Sequence, residues 1–346
     1  MNDRRPLGRT GLTVSPLCLG SMMWGSQNSE AEGHAQIDVA LDAGINFIDT
    51  AELYAIPPRV ETQGASERVI GSWLKTRGRR DQIILASKVV GPSPNPWFRA
   101  DGAPTRLDRK NIEEAIDASL KRLQTDYVDL YQLHWPHRPV GLFGDRAQAG
   151  KGDEIPVEET LGALADLVKA GKARHVGLSN ETAWGLSRFL HLSETKGLPR
   201  VASVQNAYNL LNRTYEGGLA EFHARENVGL LAYSPLAQGY LTGKYQRGAR
   251  PPGARSTLYN RGQRYERPGA EEAIDEYLGV AGDFGLDPAQ MALAYVTSRP
   301  FVTSNIIGAS TIAQLKANIA SRDIVITPEI EARIDAVRQR RGDPTP

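Results

Sequence analysis

The sequence predicts a single (β/α)8 barrel occupying residues 1–346, with an N-terminal β-hairpin and an extra C-terminal helix. Three observations predict it. Short apolar runs alternate with segments of helical period, and eight such runs can be placed after the hairpin. No linker-like composition divides the 346 residues, and 40% of them are hydrophobic, enough for one large core or, on bulk numbers alone, for two ordinary α/β domains. The glycine signatures G-x-G-x-x-G after the first strand and G-x-x-x-x-G-K-[ST] are absent, which argues against an open doubly wound sheet.

Taken in order, residues 5–14 read as a hairpin with its turn at 8–11. The run 16–19 is the first barrel strand, 31–42 is a helix, and 45–48 is a strand behind Gly44, a helix stop. Ser66 is placed to cap a helix carrying Val69, Ile70, Trp73 and Leu74. Strand 83–86 precedes a helix capped by Asp108, with Ile112, Ile116, Leu120 and Leu123 at helical spacing, and 127–133 is the fourth strand. The second half repeats the unit: helix 157–169 closing at Gly171, strand 175–178, helix 181–192, strand 201–204, helix 215–225 and strand 228–232. Residues 243–269, rich in Gly, Pro and Arg, read as irregular. Asp287 and Pro288 open a helix over 289–296, 305–307 is the eighth strand, 311–320 its helix, and Thr327-Pro328 starts the terminal helix. The loops 91–107 and 136–156 are long, and long loops on an active face tend to carry function.

Composition narrows the partners. With 41 basic against 40 acidic residues the net charge is +1, so no nucleic acid is implied. No stretch is long and apolar enough for a membrane and the N-terminus lacks a signal core, so a cytoplasmic protein is expected. Cys18, the single cysteine, forbids an intrachain disulfide and reads as a small core residue. The oligomeric state is left open.

In a barrel the strand C-termini open on one face. Asp49 ends the second strand, Lys88 the third and His134 the fourth, and Tyr54 lies just beyond Asp49. An acid, an ammonium, an imidazole and a phenol thus ring one mouth. A free phenol, with pKa near 10, is a poor acid at neutral pH, and a neighbouring ammonium lowers that value. Asp49 would hold Lys88, and His134 would hydrogen-bond the phenol or a substrate oxygen. Taken singly, the same residues suit a rim salt bridge, a helix cap and a polar rim.

The phrases INFIDTAELY, ASKV and DLYQLHWP resemble the aldo-keto reductase superfamily along nearly the whole chain. QNSEAEGHAQ, PPRVETQGASE and LDRKNI look like its bacterial Tas-type branch. The resemblance implies the barrel fold and a catalytic tetrad at Asp49, Tyr54, Lys88 and His134. It also implies reversible hydride transfer between NADP(H) and a small-molecule aldehyde or ketone, without metal. Ser179, Asn180 and Gln205 resemble the side chains that hold the nicotinamide carboxamide, and Tyr233 the ring stacked on it. Backbone of Ser234, Pro235, Leu236 and Gly239 would approach the pyrophosphate, where small residues suit close contact. Ser310, Gln314 and Asn318 resemble the adenosine contacts, with Gly308 beside them. Some branches carry Lys where Gly308 stands and Arg where Gln314 stands, for the 2′-phosphate. Those charges are missing here, and Lys244 and Arg255 resemble the pair other branches substitute. The strand-to-helix segments GLSN and GAS would serve equally as ordinary helix caps.

Among the aromatics, Trp24 and Trp135 are expected with Tyr54 in the substrate pocket, and Trp73 in helix core. His134 and His137 form an H-x-x-H, but Pro136 breaks helical geometry and no third ligand is evident, so no metal is expected. Some relatives of this family are cofactor-binding regulatory subunits, and that role with little turnover is the alternative to an enzyme.

Overall fold

Apolar strands alternating with amphipathic helices bury both sheet faces when the helices wrap outside, and closing the sheet removes its edges. The computed structural model describes residues 3–142, 153–260 and 262–346. A two-stranded antiparallel hairpin, β1 (Arg5–Pro6) and β2 (Thr13–Val14), comes first. Eight parallel strands then close a barrel: β3 (Leu17–Gly20), β4 (Phe47–Asp49), β5 (Ile84–Val89), β6 (Val128–Leu133), β7 (Ala173–Ser179), β8 (Val201–Ala207), β9 (Gly229–Tyr233) and β10 (Val302–Ile307). They run in chain order, with β10 beside β3. Outside lie α1 (Glu30–Asp42), α2 (Ala65–Arg77), α3 (Arg109–Leu123), α4 (Val157–Lys169), α5 (Ala183–Lys196) and α6 (Glu221–Glu226). The remaining helices are α7 (Arg255–Tyr259), α8 (Ala270–Asp283), α9 (Pro288–Ser298), α10 (Ile312–Ala320) and α11 (Pro328–Arg341).

Two apolar clusters hold this together. The larger packs the outer strand faces against the helices, with Ile48, Trp73, Leu85, Ile116, Tyr131 and Leu164 among its members. The smaller closes the barrel floor: hairpin residues Leu7 and Val14 meet Cys18, Phe47, Ala86, Leu130, Ala202 and Leu231. Successive side chains of a strand alternate faces. Phe47 and Asp49 therefore share one side of β4, Ala86 and Lys88 one side of β5, and Leu130 and Gln132 one side of β6. The barrel interior is thus apolar below and polar above.

Local departures from expectation have local causes. Ser66 does not cap α2: the helix starts at Ala65 after left-handed Gly64, and the buried Ser66 hydroxyl donates to Ser21 O at 2.7 Å and Trp24 O at 3.0 Å. The helix expected over 215–225 is broken at Gly217-Gly218 into a 3-10 turn, Thr214–Gly217, and α6. α1 begins at Glu30 because Ser29 and Glu32 cap each other's backbone amides. α8 adds to the expected set, and its buried stripe is Ala273, Ile274, Tyr277 and Val280. Residues 143–152 of the expected loop 136–156 lie outside the described residues, as does Arg261.

Candidate active site

Strand alternation aims Asp49 and Lys88 up the barrel axis, and there the two form a buried ion pair. Lys88 is 0% exposed; its Nζ donates to Asp49 Oδ2 at 2.6 Å, to Thr50 O at 2.9 Å and to Tyr54 OH at 3.3 Å. The other Asp49 oxygen accepts from Gln205 Nε2 at 2.8 Å and Gln132 Nε2 at 3.3 Å. Tyr54 and His134 are buried edge to face, ring centroids 5.7 Å apart. The four expected side chains are therefore brought together at one mouth.

The electrostatics follow from burial and from the ammonium. Burial works against the Lys88 charge, but Asp49 and then Tyr54 outweigh it, and the ammonium is held above the ordinary lysine range. Burial pushes the Tyr54 phenol up; Lys88 pulls it back, as the sequence implied, yet the balance stays above the usual tyrosine value. The phenol is a loaded acid. Burial, then the Lys88 charge, drives the His134 imidazole well below its normal range, so it stays neutral. Its Nδ1 has no hydrogen-bond partner among the described residues.

The expected cofactor residues line the adjoining strand ends. Ser179 Oγ donates to Gln205 O at 2.8 Å, Asn180 Nδ2 to His134 O at 2.8 Å, and Tyr233 OH to Asn180 Oδ1 at 2.7 Å. Burial raises the Tyr233 phenol to about 12, so it donates as a neutral group. Beyond it the backbone curls through left-handed Ser234, Ala237, Gln238 and Gly239. Gly239, at φ 97°, takes a left-handed backbone that favours glycine, and a Cβ there would stand 3.0 Å from Lys244 Nζ. Lys244 thus lies on the segment expected to face pyrophosphate. At the β10–α10 junction Asn318 Nδ2 donates to Gly308 O at 3.1 Å and the Ser310 N–H to Gln314 Oε1 at 2.9 Å. A Cβ at Gly308 would meet nothing within 4 Å, so that backbone is open. Asn28 Nδ2 reaches Ser310 O at 2.8 Å and Gln27 Nε2 reaches Gly253 O at 2.9 Å, gathering the loops after β3, β9 and β10. Arg255 opens α7, and its charge helps to lower the Tyr54 phenol. The Gln238 Oε1 atom is buried without a partner among the described residues. A small-residue curl, two cations and an open backbone beside a helix N-terminus form a set that fits an anionic dinucleotide. A cavity of about 700 Å³ lies alongside, lined by Asn180, Asn206, Tyr233 and Arg264 among others but by none of the four mouth residues.

One pocket expectation is corrected. Trp24 is 1% exposed, its indole N–H donates to Gln36 Oε1 at 3.1 Å, and its ring lies on Gly33. It is core between α1 and α2 and offers no face to a substrate. Trp135 is half-buried, 5.0 Å from the His134 ring, and its N–H donates to Pro92 O at 3.2 Å. It lies so tightly on Gly91 that a Cβ there would come within 2.3 Å of the indole. His137 Nδ1 accepts from the Leu107 N–H at 3.1 Å, and no cluster of three metal-binding side chains occurs among the described residues. No helix among them is long and apolar enough to cross a membrane. Sequence reasoning passed over Gln132 and the buried pair Glu52–Arg99. Gln132 was legible, since it stands two residues before His134 on the same strand face.

An eight-stranded parallel barrel with this quartet at its mouth defines a class, and comparison with known proteins bears on it directly. Residues 16–339 match the aldo/keto reductase family, and the chain belongs to it, a family of oxidoreductases. It is 51% identical to "Protein tas" of Escherichia coli (strain K12) over 341 residues, 97% of this chain and 98% of that protein. It is 32% identical to "Uncharacterized oxidoreductase YrpG" of Bacillus subtilis (strain 168) over 98% of this chain and 97% of that one. A "Probable voltage-gated potassium channel subunit beta" of Oryza sativa subsp. japonica is also 32% identical, over 97% of this chain and 96% of its own.

Proposed function

We propose that the chain is an NADPH-dependent reductase of small aldehydes or ketones, acting as one barrel domain with Tyr54 as its general acid. The observation that carries this is the buried phenol 3.3 Å from the Lys88 ammonium. Ser179, Asn180, Gln205 and Tyr233 would hold the nicotinamide end. The residues from Ser234 to Gly239 would face the pyrophosphate, and Gly308, Ser310, Gln314 and Asn318 the adenosine. Lys244 and Arg255 would face the 2′-phosphate. When bound there, NADPH would supply the hydride for the carbonyl carbon. Tyr54 gives its proton to the carbonyl oxygen, and the phenolate left behind is stabilised by the ammonium beside it. Asp49 keeps Lys88 charged and in place. His134, neutral, orients the oxygen without competing for the proton, and Trp135 walls the substrate.

Tyr54→Phe tests the reading. It removes the proton and keeps the ring, so carbonyl reduction should fall by ~10²–10⁴-fold while cofactor titration is unchanged. A rate within a few-fold of the parent would rule Tyr54 out as the acid. The likeness to proteins named as potassium channel β subunits supports a second reading, a cofactor-binding regulatory subunit with little turnover. Carbonyl-dependent NADPH oxidation by the purified chain separates the two.

A further inference from the structure

Two residues before Tyr54, Glu52 is 1% exposed and carries a carboxylate. Its partner Arg99, 5% exposed, belongs to the long loop after β5. Arg99 NH1 donates to Glu52 Oε2 at 3.0 Å and NH2 to Oε1 at 3.2 Å, in the fork geometry that fixes orientation as well as distance. Arg99 Nε is held by Asn111 Oδ1 at 2.9 Å, on α3.

Everything else about Glu52 joins that loop to the mouth quartet. Glu52 Oε1 accepts the Val90 N–H at 2.6 Å, just past the end of β5. The Glu52 N–H donates to Lys88 O at 3.2 Å, and Gln63 Nε2 donates to Glu52 O at 2.8 Å. The Tyr54 N–H closes the turn onto Ala51 O at 3.0 Å. A buried ion pair adds little stability over apolar residues of similar shape, so its service here is geometric.

Resting on Tyr54 as the acid, we infer that Glu52 and Arg99 are positioning residues: the pair fixes the 51–54 turn against the end of β5 and ties Tyr54 to the 91–107 loop. The Tyr54–Lys88 contact is long enough, at 3.3 Å, that a small shift of the turn breaks it. Misplacement of a reacting group by 1 Å costs on the order of 100-fold in rate.

The test reads Tyr54 itself. The full chain is labelled with 3-fluorotyrosine, and among its 12 tyrosines the fluorine resonance absent from Tyr54→Phe is assigned to Tyr54. In Glu52→Gln combined with Arg99→Gln no charge is orphaned. The inference expects that resonance to move and its titration midpoint to rise as the phenol leaves the ammonium, with kcat down roughly 10- to 100-fold and cofactor affinity unchanged. A Tyr54 signal with parental position and midpoint overturns it, whatever happens to stability. If the double variant does not fold, Arg99→Lys, which keeps the charge but not the fork, must shift the same signal; no shift overturns the inference equally. Should the parent reduce no carbonyl at all, the proposed function fails, while the fluorine readout still decides whether the pair positions Tyr54.

Discussion

Lys88 is a charged side chain sealed completely inside the barrel, and its Asp49 partner has nowhere else to find a counter-charge among its contacts. Lys88→Met should therefore leave an uncompensated carboxylate and cost about 3 kcal/mol in a denaturant titration, with turnover lost as well. Parental stability and rate in that variant would reduce the pair to an ornament of the rim. His134 makes a pH prediction. Its folded pKa lies well below the unfolded value of about 6.5 because burial and Lys88 disfavour the imidazolium. As pH falls through 6.5 the unfolded chain takes up this proton first. The stability contribution is whole above that pH and is lost below it. His137, His175 and His223 shift in the same direction, so the measure is a difference. Urea midpoints of His134→Gln should fall less steeply below pH 6.5 than those of the parent.

The proposed NADPH preference rests on the segment after β9. Lys244 packs on the left-handed curl and Arg255 opens the helix after it, and NADPH differs from NADH by one phosphate. Lys244 is exposed and Arg255 half-buried, so two charge-assisted contacts of about 1–2 kcal/mol each would favour NADPH by roughly 10- to 1,000-fold. Lys244→Ala with Arg255→Ala should weaken NADPH binding by that factor in fluorescence titration and leave NADH nearly unchanged. Equal weakening of both would assign the pair to the pyrophosphate. How much of this was readable in the sequence depends on the range of the signal. Helix caps at Asp108 and Asp287 and the strand-end quartet follow from local residue type and period, and the structure has them where expected. Ser66 misleads because left-handed Gly64 starts the helix and leaves the Ser66 hydroxyl to bond the loop after β3. Trp24 misleads because a tryptophan just past a strand end looks like a pocket wall until Gln36, twelve residues on, takes its N–H. Glu52 and Arg99 are 47 residues apart, and no pattern of spacing announces such a pair.

At the scale of the molecule, the hairpin is a stopper. Leu7 and Val14 are 0% exposed and complete the apolar floor with residues of six strands. Leu7→Ala should cost roughly 2–5 kcal/mol in urea unfolding while the folded fraction keeps its kcat, because the mouth lies at the other end. A kcat that falls in step with stability would mean that floor and mouth are coupled. For protons, this makes the barrel a cul-de-sac. In the proposed reaction each turnover takes one from Tyr54, and among the described residues the floor beneath Asp49 and Lys88 is apolar apart from the Cys18 thiol, which burial holds protonated. On that reading the phenol would be recharged through the opening that admits the carbonyl compound, and the departing alcohol would stand in the way of the next proton. A dead-end inhibitor seated at the mouth should accordingly slow exchange of the Tyr54 hydroxyl with solvent, and exchange as fast as in the open protein would reveal a back door.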